Sequence, residues 1–141
     1  MKEVILLLGS NLGDTEKNID EAIIKLEKDV GKVIKKSKKI KTLPVEFVSS
    51  YVFCNIAIIF ETEYSPMRLL DRLKKIEEEM GRNEDSKAFG EYKDRVIDID
   101  IVVYDGIVFK SKRLDIPHYK HLYDRDFSKE LLKELNCLEI N

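Results

Sequence analysis

The order of two hydrophobic periodicities constrains the fold of this chain more than any other feature of its sequence. Apolar residues at helical spacing, as at Ile19, Ala22, Ile23 and Leu26, alternate with apolar runs that are typical of strands. The patterns predict helices in segments 15–30, 66–80 and 127–135, and strands in segments 3–9, 32–41, 51–62, 96–104 and 107–109. The main order is strand, helix, strand, strand, helix, strand. We therefore predict an α+β, ferredoxin-like β-α-β-β-α-β sandwich in a single domain, residues 1–141, with an extra C-terminal hairpin and a short helix.

Local signals indicate where these elements begin and end. Asp14 and Ser65 are the expected N-caps of the first two helices, and Pro66 takes the first helical position. The lysine-rich segment 32–41 predicts an edge strand with a solvated outer face. The pair Asp105-Gly106 predicts a two-residue hairpin turn, from which 107–109 returns along the preceding strand. We expect the helices on one sheet face, and a mobile polar loop in segment 83–93.

Charge and composition exclude several classes of function. The 27 acidic and 25 basic residues give a formal net charge of -2, which argues against a dedicated nucleic-acid-binding protein. No apolar stretch approaches the roughly 18 residues of a spanning helix. Two cysteines, Cys54 and Cys137, are too few for a disulfide scaffold. We expect a cytoplasmic monomer whose partners are small molecules, with no nucleic acid and no membrane among them.

The pair Asp98 and Asp100 is the sharpest chemical feature of the sequence. Alternate side chains of a strand share a face, so these carboxylates should lie about 6.6–6.8 Å apart along the chain. The alternating positions Ile97, Ile99, Ile101 and Val103 would then face the core. Two adjacent carboxylates repel each other, and a pair of Mg²⁺ ions would compensate them and grip phosphates. The alternative is that both acids simply face water at a strand end, because this spacing is common.

Basic side chains bracket the acidic strand and favour a phosphate ligand. Arg95 precedes the acids by three residues and could meet phosphate oxygens. Arg82, Arg113 and Arg125 flank the neighbouring segments, although each alone is more often a surface salt-bridge residue. Glu77 falls within the apolar stripe of its helix, where it either pairs with a base or faces the site. The remaining candidates are His118, held in an extended segment by Pro117, and its neighbour Tyr119.

Three blocks of the sequence, taken together, resemble the 6-hydroxymethyl-7,8-dihydropterin pyrophosphokinase family of folate biosynthesis. They are 8–14 (LGSNLGD), 94–101 (DRVIDIDI) and 113–119 (RLDIPHY). They occur in order and at family-like spacing, and the similarity covers nearly the whole chain. The resemblance implies an enzyme that transfers a diphosphoryl group from ATP to the hydroxymethyl group of the pterin and releases AMP.

The resemblance also implies roles for individual residues. Asp98 and Asp100 would hold two Mg²⁺ ions, and Arg82 and Arg95 would neutralise the transferred group, which makes these four the expected catalytic residues. The expected ATP-binding residues are Lys74, Glu77, Ile101, Arg113, His118, Tyr119 and Arg125. The expected pterin-binding residues are Thr42, Leu43, Val45, Phe53, Asn55, Tyr92 and Phe127, with Phe53 and Phe127 stacked on the ring.

The chain departs from the family pattern at Leu43, at Lys74 and around Tyr92, which concerns rate and affinity more than identity. Three other functions stay open. One is a Mg²⁺-dependent nucleotide hydrolase or transferase with another acceptor, which would not need Phe53, Asn55 and Phe127. A second is a regulatory or RNA-binding module, against which the balanced charge and the acidic pair both argue. The third is a family member that has lost its catalytic activity.

Overall fold

The computed structural model describes residues 1–42, 52–81 and 95–135. The predicted mobile loop 83–93 lies outside the described residues, as does the segment 43–51. The described chain forms two antiparallel sheets, a π-helical turn and three helices. Their bounds are β1 Lys2–Ser10, α1 Thr15–Asp29, β2 Gly31–Lys36, β3 Ile40–Thr42, β4 Phe53–Thr62, α2 Pro66–Glu79, β5 Asp98–Tyr104, β6 Phe109–Lys110, β7 Asp115–Ile116, the π-helical turn Lys120–Asp124 and α3 Asp126–Glu134.

The main sheet has the strand order β2-β4-β1-β5, and every pairing in it is antiparallel. The two central strands are the most apolar, because they are covered on both faces. The short β3 also pairs with β4, so the lysine-rich segment predicted as one edge strand is divided between β2 and β3. Ser37 bridges the gap, since its backbone N–H donates to the Ala57 carbonyl at 2.9 Å and its hydroxyl accepts from the Ala57 N–H at 3.0 Å. The predicted ferredoxin-like α+β fold is confirmed.

Helices α1 and α2 pack on one face of the sheet and form the larger core. The stripe predicted for α1 is fully or nearly fully buried, and Phe60 at the centre of β4 is 0% exposed. The side chain of Asp14 caps α1 by accepting from the Lys17 N–H at 3.2 Å, as predicted. A side chain at Gly31 would overlap the carbonyl oxygen of Glu61, so glycine lets β2 begin immediately after the helix. Burial on this face is the main driving force for the layered arrangement.

Helix α3 covers the opposite face of the sheet, which the sequence prediction left without a helix. Its apolar residues pack on the second set of inward-facing sheet side chains and form a smaller core cluster. The fully or nearly fully buried members of this cluster are Ile5, Leu7, Ala57, Val102, Leu131, Leu132 and Leu135. The cluster ends where β1, β4 and β5 become polar, and that edge of α3 borders the site described below.

Two features predicted for the end of β5 are wrong. The β1–β5 register shifts between Ile5, opposite Val103, and Leu6, opposite Ile101, so this bulge resets the alternation of the side chains. Val103 therefore packs against the α3 cluster and does not share the face of Ile101.

The turn at Asp105 and Gly106 forms as predicted, with φ angles of 46° and 70°. The residues that follow do not return along β5. Instead β6 pairs with β7, and the His118 N–H donates to the Val102 carbonyl at 2.8 Å along that edge. No helix of the described ranges has the length and apolar character needed to cross a bilayer.

Candidate active site

On the polar part of the sheet, Gly9 leaves a patch of backbone that no side chain covers. We call this patch the floor of the site. In the strand register Gly9 lies opposite Asn55 of β4 on one side and opposite Asp98 of β5 on the other. Directly opposed residues point to the same face, so an amide and a carboxylate flank a position that has no side chain. A Cβ at Gly9 would lie 2.9 Å from Asn55 Oδ1, so glycine is needed to keep this floor open.

Asn55 and Thr42 form a hydrogen-bonded pair on one side of this floor. The Asn55 side chain is 4% exposed, and its Nδ2 donates to Thr42 Oγ1 at 2.8 Å. The half-buried Phe53 lies opposite Thr42 in the β3–β4 register, and its ring borders Gly9. Three residues predicted to hold the pterin therefore lie together. Phe127, at the start of α3, instead makes an edge contact with the His121 ring at a centroid distance of 6.2 Å.

Arg95 and Asp98 meet on the other side of the floor, at the start of β5. The Arg95 Nη1 lies 3.5 Å from Asp98 Oδ1, and the Arg95 side chain is only 13% exposed. Asn11, in the turn after β1, holds the Arg95 backbone through two hydrogen bonds. Its side-chain oxygen accepts from the Arg95 N–H at 2.6 Å, and its own N–H donates to the Arg95 carbonyl at 2.9 Å. The turn between Gly9 and Gly13 thus places the buried Asn11 side chain where it fixes the backbone of Arg95.

Two buried side chains, His121 and Ser128, hold Asp100 through consecutive hydrogen bonds. The Nε2 of His121 lies 2.8 Å from Asp100 Oδ2, and its Nδ1 lies 2.6 Å from Ser128 Oγ in α3. His121 is 2% exposed and Ser128 is 0% exposed. Because an ionised carboxylate can only accept, the bond at Nε2 is donated by the imidazole, and Ser128 donates to Nδ1 when the ring is neutral. These buried partners therefore hold the Asp100 carboxylate in one orientation.

The two carboxylates of the pair differ in protonation. Burial, the neighbouring Asp100 and the Glu77 charge raise the pKa of Asp98 to about 8. Burial acts in the same direction on Asp100, but the hydrogen bond and charge of His121 and the charge of His118 hold the pKa of Asp100 well below its usual range. In the metal-free protein near neutral pH, one carboxylate is thus ionised and the other holds a proton. This is the pattern of an acidic pair that nearby positive charge compensates only in part.

Two further basic side chains, His118 and Arg125, lie near Asp100. His118 Nε2 lies 3.9 Å from Asp100 Oδ2, and burial lowers the pKa of His118. Arg125 Nη1 lies 3.4 Å from His121 Nε2. The exposed Tyr119 ring stacks on Tyr123 at a centroid distance of 6.0 Å, with the Lys110 ammonium 4.5 Å from its centroid. Of the predicted ATP-binding residues of this segment, His118 therefore faces Asp100 directly, and Arg125 lies beside the histidine that holds Asp100.

Four other predicted ATP-binding residues have different surroundings. Glu77 is 0% exposed, and its Oε2 accepts from the Ile99 N–H at 2.7 Å, so it stabilises the free edge of β5. Lys74 pairs with Glu77 Oε1 at 3.4 Å. The Ile101 side chain is buried in the larger core. Arg113 forms an exposed ion pair with Asp71 of α2 at 2.8 Å.

The predicted site residues Leu43, Val45, Arg82 and Tyr92 lie outside the described residues. Sequence reasoning missed His121 and Ser128, and it gave Asn11 no partner. A usable signal existed for His121, because His118 and His121 are three residues apart and such residues meet on one face of a helical turn. Ser128 and Asn11 have no such signal, since their partners are distant in sequence.

These features define a class of protein: a ferredoxin-like α+β domain with a carboxylate pair, basic side chains and a hydrogen-bonded amide on one sheet face. A sequence profile of the family 7,8-dihydro-6-hydroxymethylpterin-pyrophosphokinase (HPPK) matches residues 5–137. The chain belongs to this family. The predicted family and the predicted pyrophosphokinase function are confirmed.

Individual relatives agree with this assignment. The chain is 36% identical over 138 residues to the 2-amino-4-hydroxy-6-hydroxymethyldihydropteridine pyrophosphokinase of Porphyromonas gingivalis, covering 96% of this chain and 91% of that protein. It is 39% identical over 127 residues to a folate synthesis bifunctional protein of Arabidopsis thaliana, covering 89% of this chain but only 25% of that protein. A crystal structure of Plasmodium falciparum HPPK-DHPS matches the fold with a TM-score of 0.66 at 17% identity, over 96% of this chain and 40% of the other.

Proposed function

We propose that the chain transfers a diphosphoryl group from ATP to the hydroxymethyl group of 6-hydroxymethyl-7,8-dihydropterin and releases AMP, with two Mg²⁺ ions bound by Asp98 and Asp100. One observation carries the proposal. The carboxylate pair with its arginine lies on the same sheet face as the Asn55–Thr42 pair, separated from it by the bare backbone of Gly9. A flat polar acceptor on that floor would have its hydroxyl beside the phosphate-binding residues.

The carboxylate pair fits the hard cation that this reaction needs. Both groups offer oxygen atoms, which Mg²⁺ prefers, and each is about one third exposed, at 32% and 27%, so a ligand can reach them. The pKa of Asp98, raised to about 8 by burial and by Asp100, indicates that Arg95 and the other nearby bases compensate the pair only in part. Bound Mg²⁺ would neutralise charge on the phosphate oxygens and help to align the reacting groups.

The chain's own residues would complete the phosphate site. Arg95 lies within 3.5 Å of Asp98 and could turn its guanidinium to the transferred group without a large movement. Neutral His118 can hydrogen-bond a phosphate oxygen, and Arg125 adds a second guanidinium on the α3 side. Catalysis would then consist of positioning and electrostatic stabilisation, as is general for phosphoryl transfer. The full proposed ATP set is Lys74, Glu77, Ile101, Arg113, His118, Tyr119 and Arg125, and Arg82 and Arg95 are the proposed catalytic arginines.

The acceptor side would use the amide, the hydroxyl and the aromatic rings. The 2.8 Å bond between Asn55 and Thr42 orients both polar groups before the substrate arrives, which lowers the entropy cost of binding. Phe53 and Phe127 would stack on the ring, and Leu43, Val45 and Tyr92 would complete this side. The monomeric state and the cytoplasmic location stay predictions, and sedimentation of the purified chain tests the first.

The deciding experiment measures AMP released from ATP and Mg²⁺, with and without 6-hydroxymethyl-7,8-dihydropterin. We expect AMP only when the pterin is present, together with the diphosphorylated pterin as the second product. Asp98→Asn should abolish both products. Asp115→Asn, which changes an exposed carboxylate on β7, is the matched control and should keep full activity.

Each alternative function has a distinct outcome in this assay. Release of AMP or ADP at the same rate without the pterin would favour a nucleotide hydrolase or another acceptor. A folded protein that binds an ATP analogue but gives no product would favour loss of catalytic activity. Either result would refute the proposal.

A further inference from the structure

Two histidines and one aspartate converge at the base of the site. His118 and His121 are three residues apart at the π-helical turn, and their rings lie 4.2 Å apart between centroids with an interplanar angle of 35°. Together with Asp100 they offer one ligand atom each, and these three atoms all lie within 4.8 Å of one another. Two imidazoles and a carboxylate form a donor set that first-row transition-metal ions prefer to Mg²⁺.

The distances suit one small ion. His121 Nε2 lies 2.8 Å and His118 Nε2 lies 3.9 Å from Asp100 Oδ2. Around an ion with bonds of about 2.0–2.2 Å, neighbouring donor atoms lie roughly 3–3.5 Å apart. Small rotations of the partly exposed His118 and Asp100 side chains, at 28% and 27% exposure, would therefore complete the set.

The surroundings of both histidines support ligation. Ser128 Oγ lies 2.6 Å from His121 Nδ1, and a serine hydroxyl can accept from Nδ1 when Nε2 binds an ion. The ring orientation is thus already set by a partner that is 0% exposed. The His118 ring is otherwise held by a long contact of 3.4 Å, from the His121 N–H to Nδ1.

One group opposes a cation here. The Arg125 guanidinium lies 3.4 Å from His121 Nε2 and would have to turn away. Asp100 favours the ion, because its Oδ2 offers an oxygen ligand 2.8 Å from His121 Nε2 and 3.9 Å from His118 Nε2. The site is therefore expected to fill at low ion concentration only with metals that bind imidazole strongly.

We propose that Asp100, His118 and His121 form a binding site for a first-row transition-metal dication such as Zn²⁺, which differs from the Asp98–Asp100 pair in using two imidazole ligands. Three protein ligands leave at least one coordination position open to water or another ligand, unlike the four protein ligands of structural zinc sites. The site shares Asp100 with the proposed Mg²⁺ pair, so its occupant would compete with Mg²⁺. The proposal itself concerns metal binding alone and does not depend on the proposed reaction.

The test is titration calorimetry of tag-free, metal-stripped protein with Zn²⁺ alone, for the wild type and two variants. We expect one Zn²⁺ per chain in the wild type. His121→Asn removes a ligand and should weaken binding by more than the roughly 10–100-fold that loss of a supporting hydrogen-bond partner causes. Asp98→Asn leaves all three ligands in place and should change the affinity by no more than a few-fold. Thermal unfolding of each variant verifies that it is folded, and His118→Asn replaces His121→Asn if the latter does not fold.

Two sets of outcomes would refute the proposed metal site. If the wild type does not bind Zn²⁺, or if His121→Asn binds it as tightly as the wild type, the proposed site does not exist. If Asp98→Asn loses as much affinity as His121→Asn, the ion sits on the carboxylate pair and the proposal is wrong. A visible spectrum of the Co²⁺-loaded protein that changes in His121→Asn but not in Asp98→Asn would support imidazole ligation independently.

Discussion

Replacing Asp98 with asparagine should stabilise the metal-free protein increasingly as the pH rises from about 4 to about 8. Asparagine has nearly the same shape but does not ionise. In the wild type, burial and the Asp100 charge raise the pKa of Asp98 from its ordinary value of 3.8 to about 8. The folded protein therefore binds this proton more tightly than the unfolded chain, and the wild type loses stability over that pH range.

The size of the effect follows from the two pKa values. The difference between 3.8 and about 8, at about 1.4 kcal/mol per unit, sets an upper bound of roughly 6 kcal/mol on what the ionisation of Asp98 costs in free energy of unfolding. The Asp98 side chain is 32% exposed, so water and salt screen part of the repulsion. We expect a gain of about 1–3 kcal/mol at pH 9, which corresponds to roughly 3–10 °C in Tm.

The assay is thermal or urea unfolding in EDTA at several pH values between 4 and 9. Asp115→Asn, at an exposed position of β7, controls for the general effect of removing a carboxylate. Addition of Mg²⁺ should reduce the advantage of Asp98→Asn, because a bound cation compensates the wild-type pair. If the difference between variant and wild type does not change with pH, or if the variant is less stable at pH 9, the reasoning about this pair is wrong.

Three further changes test other parts of the site. Asp100→Asn should destabilise the protein near neutral pH and much less below pH 4, because the low pKa of Asp100 reflects its bond to His121 in the folded state; urea unfolding at both pH values measures this. Gly9→Ala should weaken pterin binding measured by calorimetry while changing Tm little, because its Cβ would lie 2.9 Å from Asn55 Oδ1; unchanged affinity would argue against the floor as the pterin site. Glu77→Ala should lower the stability by about 1–3 kcal/mol, because it leaves a buried N–H of β5 without its acceptor; an unchanged Tm would show that water replaces the carboxylate.

Much of the fold could be predicted because its signals are local. The apolar stripe of α1, the cap at Asp14 and the alternation along β4 depend only on neighbours within one turn or one strand. The position of Val103 could not be predicted, because the bulge depends on how β5 pairs with β1. The return strand after Asp105-Gly106 was wrong for a related reason. The segment at His118 hydrogen-bonds to the β5 edge that a return strand would have used.

The sequence by itself determined the order of elements, the shared face of Asp98 and Asp100, and the family blocks that identify the reaction class. These depend on chain spacing and residue type, which are properties of a linear pattern. Only the tertiary structure decided which carboxylate ionises, because the Asp100 partner His121 is 21 residues away in the chain. It also decided the role of Asn11, whose partner Arg95 is 84 residues away. Long-range hydrogen bonds between side chains leave no periodic trace in a single sequence, so packing alone brings these partners together.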